Sequence, residues 1–113
     1  MMHNCGSIYA FMPDLIDCGI DIINPVQFTA RDMQLARLKR EFGRDICFWG
    51  GGVDTQHVLR FGSQEQVRDQ VRENSRILSK GGGFVFNPVH CIQAGVPTEN
   101  VIAAFDEIRN FRP

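Results

Sequence analysis

Hydrophobic positions along this chain follow two rhythms. Three short, nearly continuous apolar runs fall at 20–24 (IDIIN), 46–49 (ICFW) and 84–87 (FVFN), each rich in branched or aromatic residues and bounded by glycine or proline. Such runs read as buried strands. Between them the apolar residues recur at helical spacing. Residues 31–42 place Leu35, Leu38 and Phe42 on one stripe, with Gly43 as the stop. Ser63 followed by Gln66 forms a capping box that opens a helix over 64–79, with Val67, Val71 and Leu78 on its apolar face. Its polar side carries Glu65/Arg68, Asp69/Arg72 and Glu73/Arg76 at pairing distance. A last helix starts near Pro97-Thr98 and is expected to bury Val101, Phe105 and Ile108. A first helix, about 7–18, contains Pro13, which must kink or restart it.

Strict alternation of helix and fully apolar strand predicts an α/β fold of parallel strands covered by helices. In such folds chemistry gathers at the carboxyl ends of the strands. The three strands exit into Asn24-Pro25-Val26-Gln27, into Gly50-Gly51-Gly52-Val53-Asp54-Thr55-Gln56, and into Asn87-Pro88-Val89-His90-Cys91. Asn24, Asp54, Gln56 and His90 are therefore the candidate substrate contacts. The twice-used Asn-Pro-Val either ends ladder pairing or lines a shared site. The glycine run resembles a phosphate loop only loosely, since neither GxGxxG nor GxxxxGK[ST] is present, and tight turning is the better account of it. His57 reads as a surface or capping residue.

Composition narrows the partners. The 113 residues allow one domain with a single core. Twelve basic and 13 acidic side chains leave a formal charge of −1, and no basic stripe invites nucleic acid or an anionic membrane. No apolar stretch approaches the roughly 18 residues of a membrane span, and no secretory leader is evident, so the cytoplasm is the expected location. In that compartment Cys5, Cys18, Cys47 and Cys91 are expected to be unpaired thiols. Cys18, at a helix end, and Cys47, inside an apolar run, read as structural.

The other two cysteines stand beside histidines. Met1 and Met2 read as the end of a further strand, which puts His3 and Cys5 on the same strand-end face as His90 and Cys91. Zinc takes tetrahedral nitrogen and sulfur ligands, and a catalytic zinc uses three of them plus an open position. Three of these four residues would suffice. The alternative is that the cysteines pack as small hydrophobes while the histidines bond backbone carbonyls.

The stretches HNCGSIY, PDLIDCGIDIINPVQ, LKREFGRDICFWGGGVDTQ, LRFGSQEQVRDQVR and GGGFVFNPVHCIQAGVPTENV together resemble the uroporphyrinogen decarboxylase (URO-D) superfamily over residues 3–108. The resemblance implies a (β/α)8 TIM barrel, which typically needs about 250 residues. Residues 1–113 then correspond to its carboxyl-terminal half, a single partial domain whose open sheet edges could pair with a second copy. Two chemistries are implied. Decarboxylases of the superfamily remove carboxylate from tetrapyrrole side chains in porphyrin biosynthesis without metal or cofactor. Their charged catalytic groups lie in the amino-terminal half, so a half-barrel is expected to be inactive alone, and His90 matches a substrate-contacting histidine. The cobamide-dependent methyltransferases bind zinc through His-x-Cys and a later cysteine, and hold a thiol such as coenzyme M for methyl transfer. His3 and Cys5 match that motif. Counting back from Pro97 without gaps puts His90 at the third position, and a one-residue shift puts Cys91 there. A non-enzymatic half-barrel serving assembly alone is the third reading.

Overall fold

Four strands organise the computed structural model, which describes residues 1–113. They are β1 (Met2–His3), β2 (Ile22–Asn24), β3 (Cys47–Trp49) and β4 (Phe84–Val85), all parallel and in the order β1-β2-β3-β4. Helices α1 (Met12–Asp17), α2 (Leu35–Phe42), α3 (Val58–Phe61), α4 (Gln64–Leu78) and α5 (Thr98–Asn110) occupy the connections, with a 3-10 turn at Tyr9–Phe11 before α1. The α/β fold with a parallel sheet and covering helices is thus as the sequence predicts.

Register sorts the strand side chains into two rows. Met2 pairs with Ile23, Ile23 with Phe48 and Phe48 with Phe84. Side chains of this row face the helices, and Ile23 and Phe48 are fully buried there with Met12, Leu38 and Leu78. One residue further along, His3 pairs with Asn24 and Trp49 with Val85. Alternation turns this second row to the opposite face, where Trp49 and Val85 remain 37% and 41% exposed. The sheet is covered on one face only.

Sequence signals at the helix ends are realised locally. Pro13 sits in the first turn of α1, where its missing N–H costs nothing, so it restarts the helix after the 3-10 turn. Ser63 and Gln66 close the capping box of α4 from both sides. The stretch 31–34 does not join α2. Asp32 takes a positive φ of 61° there and turns the chain so that Met33 enters the core before the helix begins at Leu35. Cys18 lies exposed at the end of α1 rather than packed as a structural residue, Cys47 is half-buried, and all four thiols are free.

Two expectations for the last helices fail. In α5 the fully buried residues are Asn100, Ala103 and Ala104; of the expected stripe, Val101 and Ile108 are half-buried, Ile108 against the cluster of Val67 and Val71, while Phe105 is 47% exposed. The alanine face wins because α5 packs against Val67 and Val71 of α4, where small side chains allow close approach. Phe105 instead meets the edge of Phe86 at a ring separation of 5.7 Å. Arg68 does not pair with Glu65. It reaches across to Glu107 and to the Ala103 carbonyl of α5, whereas Asp69–Arg72 and Glu73–Arg76 form as expected.

Helix α4 also fixes the loop after β3. Buried Asn74 donates to the carbonyls of Gly51 and Gly52 at 2.9 and 3.3 Å, and the Gln70 side chain accepts from the Asp54 N–H at 2.7 Å. Asn74→Ala leaves two carbonyls without a donor and should lower stability by about 2 kcal/mol or more, read as a reduced midpoint in urea with an unchanged slope. A loss below about 0.5 kcal/mol would mean that water replaces the amide.

A second polar link ties the segment before α1 to α2. Tyr9 donates its hydroxyl to Glu41 at 2.6 Å, and Arg37 stacks over the Tyr9 ring at 3.9 Å. The tyrosine hydroxyl holds the Glu41 carboxyl below its ordinary range. A carboxylate with a depressed folded pKa contributes stability above the unfolded value and loses it as pH falls through the folded one. Glu41→Gln should therefore flatten the acid limb of the melting temperature against pH, and curves that stay parallel would refute the link.

Candidate functional site

The carboxyl ends of β1 and β2 set the first part of the site. Because His3 and Asn24 are register partners, their side chains stand together, with His3 Nδ1 2.8 Å from Asn24 Oδ1. The Asn24 amide is itself oriented by the next strand, since its Nδ2 donates to the Trp49 carbonyl at 3.1 Å. Oδ1 is then the acceptor, and His3 must carry its proton on Nδ1. The bare Nε2 is left 3.8 Å from Cys5 Sγ. Gly6 follows with φ at +96°, a backbone that glycine adopts without strain, and its N–H donates to Gln27 Oε1 at 2.8 Å. This bond fixes the Cys5 loop and leaves the Gln27 NH2 free of the backbone.

The β3 exit is packed rather than open. A Cβ on Gly51 would stand 3.0 Å from Val26, and one on Gly52 would stand 2.3 Å from the Phe86 ring. The glycines let neighbouring strand ends close on one another, and tight turning accounts for the run. Beyond them the buried Asp54 accepts from the Gln56 N–H and stands 2.8 Å from His57 Nδ1. His57 is the residue before α3 and largely exposed; its side chain makes no capping bond to the helix, so of the two expected roles it is the surface one that the structure has.

Two adjoining cavities open at the strand ends. The larger, about 500 Å³, is lined by Cys5, Gln56, His90 and Cys91 among the sequence candidates. The smaller, about 290 Å³, is lined by His3, Asn24, His90 and Cys91. Candidates from all four strand ends are thereby brought to one face, with His90 and Cys91 shared by both cavities. Asp54 is the one candidate that lines neither, because its carboxylate is engaged within its own loop. Asn24-Pro25 and Pro88-Val89 line the smaller cavity, so the repeated Asn-Pro-Val both ends strands and shapes a wall. Sequence reasoning passed over Gln27, Gln93 and Arg60, which also line the larger cavity. Only Arg60 had a signal, a cation beside Phe61-Gly62 just beyond a strand-end loop.

As metal ligands these residues fit in part. Zinc bonds of about 2.0 Å to nitrogen and 2.3 Å to sulfur put tetrahedral neighbours roughly 3.6 Å apart, close to the 3.8 Å between His3 Nε2 and Cys5 Sγ. The Nδ1–H bond to Asn24 is the outer contact that a metal-bound histidine usually makes. No group of three His, Cys, Asp or Glu side chains is gathered around one point, so His90 or Cys91 must turn inward to add a third ligand.

The hydrogen-bond chain from Trp49 through Asn24 to His3 predicts that neutral His3 is held in the Nδ1-protonated form. Long-range 15N–1H spectra above the histidine titration range should show it. Asn24→Ala should end that dominance without unfolding the chain. An Nε2-protonated ring in the unaltered protein would overturn the assignment.

No helix is long and apolar enough to cross a membrane. A search of curated proteins returns no match. The family model described as uroporphyrinogen decarboxylase (URO-D) matches residues 1–111. That match covers nearly the whole of a chain with a four-stranded parallel sheet and polar strand-end cavities, and the chain belongs to the URO-D family.

Proposed function

We propose that this chain is the carboxyl-terminal half of a (β/α)8 enzyme barrel, and that its strand-end face is the part of the active site where zinc would hold a thiol substrate. The observation that carries this reading is the locked His3 ring, whose bare Nε2 faces the Cys5 thiol at metal-ligand spacing. Zinc bound there would supply a thiolate nucleophile near neutral pH, the chemistry of the methyltransferase branch. In this reading Asn24 sets the tautomer of His3, Gln27 holds the Cys5 loop through Gly6, and His90 or Cys91 completes the ligand set.

The half-barrel element of the proposal is supported by the uncovered sheet face. Parallel strands are normally shielded on both sides, yet Trp49 and Val85, with Ile102 and Phe105 of α5, are exposed. The missing four strands, supplied by another chain segment or by a second copy, would shield them and pair the edges at β1 and β4.

A metal-free decarboxylase is the second reading. The exposed His90 favours it, because it borders both cavities and would meet a ligand lying in either. Metal content separates the two. Untagged protein equilibrated with zinc and desalted should retain one ion per chain, lost in His3→Ala and Cys5→Ala. Either His90→Ala or Cys91→Ala should weaken binding as well, which identifies the third ligand. Asn24→Ala should cost about 10–100-fold in zinc affinity. Folded protein that retains no zinc would sink the thiol reading and leave the decarboxylase.

A further inference from the structure

The larger cavity contains a cation that neither proposed chemistry uses. Arg60 lies on α3, a four-residue helix held from several sides. Leu59 is fully buried among Val67, Val71 and Ala103, its N–H donates to the Asp54 carbonyl, and Asn100 of α5 donates to the carbonyls of Leu59 and Gly62. From this anchored base the Arg60 side chain enters the cavity wall and passes Gly95 so closely that a methyl group there would stand 3.5 Å from Nη2. None of the chain's ion pairs includes Arg60. No Asp or Glu lines the cavity, and the nearby Asp54 carboxylate is engaged by the Gln56 N–H and His57.

The rest of the wall has the same preference. Gln27 gives its oxygen to Gly6 and keeps its NH2 group for other partners. Val89 and Val96 add apolar surface. One guanidinium with amide donors balances a monoanion, and its planar fork matches a carboxylate in two-point contact. The valines suit the carbon skeleton behind that group.

We infer that Arg60 is the recognition group for the carboxylate of a small, partly apolar acid bound in the cavity between α3 and the 87–96 loop. The inference rests on reading this face as a substrate site and is independent of the metal. The carboxylate is thereby directed to the Arg60 side, which leaves the opposite end of the ligand toward Cys5 and His90.

The test uses propionate as the acid probe and 1-propanol as its uncharged counterpart, each titrated into the 113-residue chain. Readout is by 15N–1H spectra that include the arginine Nε–H and glutamine side-chain signals. Propionate should give saturable shifts at Arg60, Gly95 and Gln93, and propanol should not. Arg60→Gln should weaken propionate at least about tenfold, and Arg60→Lys should restore part of the loss. Absence of saturable shifts, or equal affinity in Arg60→Gln, would overturn the inference while zinc retention is unaffected. Zinc loss with propionate binding intact would sink the thiol reading and leave Arg60 in its role.

Discussion

The site depends on one constraint, the parallel register of four strands. Pairing Met2 with Ile23 and Ile23 with Phe48 sends one row of side chains into the helix layer and the next row to the open face. A slip of one residue would exchange the two rows, exposing Ile23 and Phe48 while burying His3 and Asn24. Burial of those large apolar groups therefore aligns the polar ones. The bonds that orient His3 and Asn24 cross strands far apart in sequence, and they exist only in this register.

Helices α4 and α5 extend the same control to loops the sheet does not reach. Asn74 and Gln70 hold the turn after β3 from beneath, while Asn100 holds α3 from the side. Asn74 and Asn100 are buried and Gln70 half-buried, and all three are spent on backbone groups, which are costly to leave unpaired. Through them the packing of two amphipathic helices decides where Arg60 and Gln56 meet the cavity. The loop at 87–96 is less restrained, with Val89 anchored by its N–H to the Val53 carbonyl and His90 and Cys91 exposed beyond it. On the zinc reading, a third ligand would come from this point of the loop.

Much of this could be read from residue order. The apolar runs gave the strands, the Ser63–Gln66 box gave the start of α4, and strand-end logic put His3, Cys5, His90 and Cys91 on one face. What escaped is what periodicity does not encode. The stripe Val101–Phe105–Ile108 looked like the buried side of α5, and Ile108 does pack on the cluster, but contact between two helices is governed by how near their axes can come; Ala103 and Ala104 allow the nearer approach and Phe105 is left exposed. Arg68 looked like the partner of Glu65 because only same-helix spacing is visible in a sequence, and Glu107 lies on another helix. Asp54 looked available because its loop position was right, whereas its hydrogen bonds to its own neighbours appear only in three dimensions.

Two features of this surface lack partners within the chain. Trp49 and Val85 are exposed on the open sheet face, and the Arg60 guanidinium, 5.2 Å from the centre of the Phe61 ring, has no carboxylate partner beside three amide side chains. His3 and Asn24 of the exposed row line the smaller cavity, which shares Val89, His90 and Cys91 with the larger one that Arg60 borders. On the proposed half-barrel reading, a layer placed over this row would stand beside both cavities, and any water it displaced from Arg60 would strengthen the hold on a carboxylate, since a charge pair gains as the local dielectric falls.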